Sequence, residues 1–165
     1  DGEFMTADRA LARDWFLRSA DLGDAGAMHD LALMMLATSD DKDTVQEALK
    51  WLRLAAKAGH GGALTGLARL HLKEKHGLDA DAAVELLERG VAAGHPGAME
   101  ELGRLYAKGR LVEQNRTKAF ELARKGADRG HQGSATLLEE LQKTDEANLT
   151  ILLRTTPQTT SNKEG

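Results

Sequence analysis

Apolar side chains recur along this chain at intervals of three and four residues, in short blocks separated by glycine or by polar clusters. Ala98, Leu102 and Leu105 form one block, and Ala119, Leu122, Ala123 and Ala127 form the next, with Gly109 between them. That period belongs to an amphipathic helix, one stripe facing a core and the rest facing water. The pattern predicts helices over 7–22, 26–37, 44–58, 62–75, 80–93, 97–108, 116–129 and 133–144. Asp43 or Thr44, Asp79 and Asn115 stand where N-caps are wanted, and Pro96 suits a first helical turn. Helices this short are stable only against neighbours.

Repetition supplies the neighbours. Gly23, Gly59, Gly94 and Gly130 are spaced by 36, 35 and 36 residues. Eleven positions before each glycine is an alanine (Ala12, Ala48, Ala83, Ala119), and three before it is Ala20, Ala56, Val91 or Ala127. Eight positions after it is a leucine: Leu31, Leu67, Leu102 or Leu138. A constant period of this length marks a stacked array. The glycine can take the left-handed conformation that caps a helix, the alanines let backbones approach, and the leucines fill the space between ridges.

Leu102-Gly103, Tyr106, Gly109, Val112, Asn115, Lys118-Ala119, Ala127 and Gly130 together resemble the Sel-1-like repeat, a relative of the tetratricopeptide repeat. Leu111 stands where that family usually has a second glycine, and Asn115 where it usually has aspartate. Trp15 and Trp51 fit its aromatic position, which Leu86 and Leu122 replace, and the loops after Leu36 and His71 lack its glycine-rich turn. The resemblance covers about residues 10–144. It implies an all-α fold: a right-handed α/α superhelical solenoid of about four antiparallel helix pairs, serving as a non-catalytic scaffold for a protein or peptide partner.

In this frame Asp1-Gly2-Glu3-Phe4, ahead of Met5, reads as a cloning remnant, and residues 5–145 as the solenoid. Residues 146–165 read as a C-terminal cap segment and a disordered polar tail, with three fates open to Leu149, Ile151, Leu152 and Leu153: folding back as a cap on the last repeat, docking on another molecule, or remaining mobile. The array opens on a helix of the second type, so Trp15 and Phe16 are expected to lack a neighbour, and the array ends offer a route to self-association.

Composition narrows the function further. A formal charge of −4 gives no general attraction for nucleic acid or an anionic membrane. No cysteine is present, which excludes a disulfide framework and a thiolate metal site. No run approaches the roughly 18 apolar residues of a membrane span, so a soluble chain is expected, with no targeting signal to fix its compartment.

Candidate chemistry is sparse. Gly59-His60-Gly61-Gly62 follows a helix and lacks phosphate-loop spacing, so it reads as a turn. His60, His95 and His131 each follow a repeat glycine, but equivalent points on stacked repeats lie roughly 10 Å apart, too far to share one metal ion. His71 and His76, five apart, fall on different helix faces, and Glu100-Glu101 and Glu139-Glu140 diverge as neighbours on a helix. Met28, Met34, Met35 and Met99 read as core filling. Asn115-Arg116-Thr117 and Asn148-Leu149-Thr150 match a glycosylation sequon relevant only in a secretory pathway. No catalytic constellation, metal site or cofactor is expected. One strip of the first helices carries Gly66, Arg69 and Lys73, then Glu101, Arg104 and Lys108. Stacking should align Arg69 with Arg104 and Lys73 with Lys108, a local basic row that reads either as a solvated helix face with lysines suited to helix C-termini or as a site for an acidic segment or terminal carboxylate.

Overall fold

The computed structural model describes residues 2–72 and 80–155, with side chains described for 11–72 and 81–147. Among these residues there are eight helices and no strand: α1 (Gly2–Asp21), α2 (Ala25–Thr38), α3 (Lys42–Lys57), α4 (Gly61–Leu72), α5 (Ala80–Ala92), α6 (Pro96–Lys108), α7 (Arg116–Ala127) and α8 (Gln132–Thr155). The closest packing joins α2 with α3, α4 with α5 and α6 with α7, and each pair stacks on the next. The result is an all-α solenoid in which α1 is a helix of the second type and α8 one of the first type.

Each boundary between pairs is built the same way. Gly23, Gly59, Gly94 and Gly130 have φ of +94°, +87°, +76° and +77°, the left-handed region that glycine enters without strain. After α3, the Gly59 N–H donates to Ala56 C=O (3.0 Å) and the His60 N–H to Ala55 C=O (3.0 Å). This double closure satisfies carbonyls that a bare helix end leaves open. His60 then starts α4, its own carbonyl accepting the Leu64 N–H at 3.0 Å. The same bonds recur around Gly23, Gly94 and Gly130.

Between boundaries the expected register holds. Leu31, Leu67 and Leu102 are buried, as are Ala48, Ala83 and Ala119. Met35 and Met99 lie in the core, and Met28 and Met34 pack against it. Close approach across a boundary needs small residues at two positions. A Cβ on Gly90 would lie 2.7 Å from Ala98 Cβ, and one on Gly126 would fall on the Ser134 hydroxyl.

Several expectations are corrected. Helix α3 begins at Lys42, and its cap is Asp41, which accepts from Thr44 N–H at 3.1 Å, in place of Asp43 or Thr44. That bond holds the Asp41 carboxyl below its ordinary value. Helix α1 starts at Gly2, ahead of the expected residue 7. Phe16 packs on the first core cluster, whereas Trp15 is 62% exposed, with the Arg18 guanidinium carbon 5.9 Å from its ring centre. Helix α8 does not stop near residue 144; its backbone continues to Thr155, so Leu149 to Leu153 extend it without folding back. The expected Asp79 cap, His76 and the polar tail lie outside the described residues. Asn115 and Pro96 take their expected places, Asn115 accepting from Lys118 N–H at 2.9 Å.

One register position changes character along the stack. Ala32, Ala68 and Gly103, nine residues past their glycines, are buried; the fourth is Glu139, which is exposed. Leu138 beside it is only half-buried, since among the described residues no second-type helix covers that side of α8.

Two pairs of substitutions check the packing by thermal unfolding. Gly126→Ala gains about 1 kcal/mol of helix propensity, but its new methyl meets Ser134, and we expect a net loss of about 1–3 kcal/mol. Gly66 faces open space, so Gly66→Ala should stabilise by about 0.5–1 kcal/mol. Leu102→Ala should cost about 2–5 kcal/mol as a buried truncation, and Leu138→Ala about half as much.

Candidate functional site

The first helices α4, α6 and α8 present one face across the stack, and charged residues ten positions past each glycine line it: Arg69, Arg104 and Glu140. Between α4 and α6 this face forms a groove of about 480 Å³. Leu72 and Leu105 give its apolar lining, and Arg69, Glu101, Arg104, Lys108 and Arg110 its charged one.

The structure brings Arg69, Arg104 and Lys108 to this groove, while Lys73 lies outside the described residues. The arginines do not form the continuous basic row the sequence suggests. Arg69 Nε donates to Glu101 Oε1 of the next repeat at 2.7 Å. Arg104 Nε donates to Glu100 Oε1 on its own helix at 3.1 Å, and Nη1 reaches Glu140 Oε2 on α8 at 3.0 Å. Burial works against the Arg104 charge, but the bond to Glu100 and the attraction of Glu140 hold its guanidinium above its ordinary value. The face is therefore a ladder of alternating sign that links repeat to repeat. The exposed rungs, Arg69 among them, contribute little energy each; the Arg104 fork, more enclosed, contributes more.

Lys108 and Arg110 make no ion pair among the described residues. Arg110 is missing from the sequence-derived strip because it follows the helix. Gly109 turns left-handed at φ +64°, and the Arg110 N–H returns to Leu105 C=O at 3.1 Å, which holds the residue at the groove. The Gly109-Arg110 pair is the signal that could have found it. Leu111, where the related repeats carry glycine, also has positive φ (+63°), an uncommon state for a leucine.

Two of the three histidines after the repeat glycines cap a helix with their side chains. His60 Nδ1 accepts from Ala63 N–H at 3.3 Å and His131 Nδ1 from Ser134 N–H at 3.2 Å, as Asp24 does from Ala27 N–H at 2.8 Å. His95 has no such bond; its Nδ1 lies 2.8 Å from Thr65 Oγ1. No group of three or more His, Asp or Glu suited to a metal ion occurs among the described residues. Nor, among them, is any helix long and apolar enough to cross a membrane.

A stack of helix pairs closed by glycine turns defines an α/α repeat solenoid. The Sel1 repeat model matches residues 1–24, 25–60, 63–95 and 96–131, and the chain belongs to the Sel1 repeat family. It is similar to a Sel1 repeat protein from Oxalobacter formigenes, with 30% identity, a TM-score of 0.66, and coverage of 76% of this chain and 95% of that one. The c5321 protective antigen of uropathogenic Escherichia coli, which has an SLR fold, is 22% identical with a TM-score of 0.64, over 74% of this chain and 26% of that one. Helicobacter pylori cysteine rich protein B shares the fold at 16% identity and a TM-score of 0.61, over 79% and 95%. No curated protein sequence matched the chain. Sel1 repeat proteins are generally protein–protein interaction scaffolds, and their solenoid fold is typically non-catalytic.

Proposed function

We propose that this chain is a non-catalytic scaffold that holds a carboxylate-bearing segment of a partner protein in the groove between α4 and α6. The observation that carries this reading is the pair Lys108 and Arg110, cations without an ion partner among the described residues, beside apolar Leu72 and Leu105. An acidic side chain or chain terminus would meet the two cations while a neighbouring apolar side chain covers the leucines. Arg69 is available too, at the expense of its contact with Glu101, whereas Arg104 is held from two sides.

Fluorescence anisotropy with a panel of acidic peptides, free and amidated at the C-terminus, tests the site. Lys108→Glu with Arg110→Glu should weaken binding more than tenfold while helicity and melting stay unchanged, and native binding should fall as salt rises. Equal affinity in the double variant would remove the groove from the reading. Reversing Arg69 and Arg104 is a poorer probe, because new carboxylates there would face Glu101, Glu100 and Glu140.

A second reading, assembly through self-association, is favoured by the exposed apolar residues of α1, where Leu11 is 59% and Trp15 62% exposed. Light scattering over a concentration series would show mass growth for the native chain that is lost in Trp15→Glu. A concentration-independent monomer would end that reading.

A further inference from the structure

We propose that the boundary between α3 and α4 is an acid-sensitive latch, in which the neutral His60 ring caps α4 and protonation releases it. His60 does three jobs there: its N–H closes α3 on Ala55 C=O, its C=O accepts from Leu64 N–H, and its Nδ1 accepts from Ala63 N–H. An imidazole accepts only through an unprotonated nitrogen, so the cap places the single ring proton on Nε2. A second proton on Nδ1 would turn the acceptor into a donor aimed at another donor. It would also put positive charge at the positive end of the α4 dipole.

The surroundings offer the charged ring little compensation. From α2, the His29 ring lies against it with centroids 4.6 Å apart, and both rings occupy the space over Gly62, where a Cβ would lie 3.0 Å from His29 Nε2 and 3.1 Å from His60 Cε1. The two nearby carboxylates are already engaged, Asp30 with His29 Nδ1 at 2.9 Å and Asp24 with Ala27 N–H. On the far side His95 packs over Gly61, and Arg89 of α5 reaches Ala56 C=O at 3.0 Å. Burial, then His29, push the His60 imidazole below its ordinary value against the pull of Asp30 and Asp24.

Two of the other boundaries are built differently, and the one at His131 repeats the histidine cap in other company. Asp24 caps α2 with a carboxyl group, which keeps an acceptor oxygen in either protonation state. Thr65 gives its hydroxyl hydrogen to Gly61 C=O, so His95 donates from Nδ1, and protonation there breaks no bond. Burial first, then His60, His131, Arg69 and His29, push the His95 imidazole down, so it adds acid sensitivity without a cap to lose. His131 Nδ1 accepts from Ser134 N–H at 3.2 Å as His60 does from Ala63, but Glu100 Oε2 lies 3.9 Å from that nitrogen.

The sign follows from linkage. An unfolded imidazole titrates near ~6.5, and His60 lies lower when folded. Its contribution is therefore full above the unfolded value and is lost as pH falls through the folded one. Below it, the first turn of α4 frays and the unit α1–α3 loosens from the rest.

Melting curves at pH 7.5 and 5.5, above the carboxylate range, test this on the full chain. The native Tm should fall between the two by about 2–4 °C more than that of His60→Asn, since asparagine caps without titrating. Nitrogen-15 shifts should show His60 as the Nε2–H tautomer at neutral pH, with Ala63 amide protection dropping at pH 5.5. An equal fall in native and His60→Asn proteins, or an Nδ1–H tautomer in the native chain, would overturn the latch.

Discussion

The left-handed glycine at each boundary is the constraint on which this solenoid depends. With Gly23, Gly59, Gly94 and Gly130 at positive φ, the following residue closes one helix with its N–H and opens the next with its C=O. No slack remains in the connection, so the angle between neighbouring repeats is set by backbone hydrogen bonds before any side chain packs. The close contacts of Gly90 with Ala98 and of Gly126 with Ser134 follow from that angle, as does the burial of the leucine eight residues on.

That much was legible in the sequence, because backbone geometry restricts residue type: glycine for positive φ, alanine and leucine for a crowded core. Other features were not. Gly26, Gly62, Gly97 and Gly133 also keep register, three residues past each repeat glycine, but their purpose depends on the preceding repeat. Gly62 lies under His29, and Gly133 under Glu100. The charged strip was legible only in part: the sequence aligns Arg69 with Arg104, but it is the stacked structure that pairs Arg69 with Glu101 and Arg104 with Glu140. The ends of α1 and α8 escaped because local sequence there carries no strong stop.

Under the proposed function, those ion pairs would tie recognition to cohesion. Arg69 joins α4 to α6 through Glu101, and Arg104 joins α6 to α8 through Glu140. A ligand carboxylate that takes Arg69 from Glu101 exchanges one repeat-to-repeat bond for an intermolecular one. In that reading, occupancy of the groove and stiffness of the stack would be linked, while Lys108 and Arg110 would offer charge at no such cost.

Glu139 has a consequence for how such a molecule can grow. Lengthening a repeat protein by duplicating a unit works wherever the seam meets a small residue, as at Ala32, Ala68 and Gly103. At α8 the same seam would press a helix onto a carboxylate with no partner beneath it, and an uncompensated buried charge is costly. Gene duplication or engineered fusion can thus add modules in the middle of this array far more readily than after α8, where a single glutamate acts as punctuation.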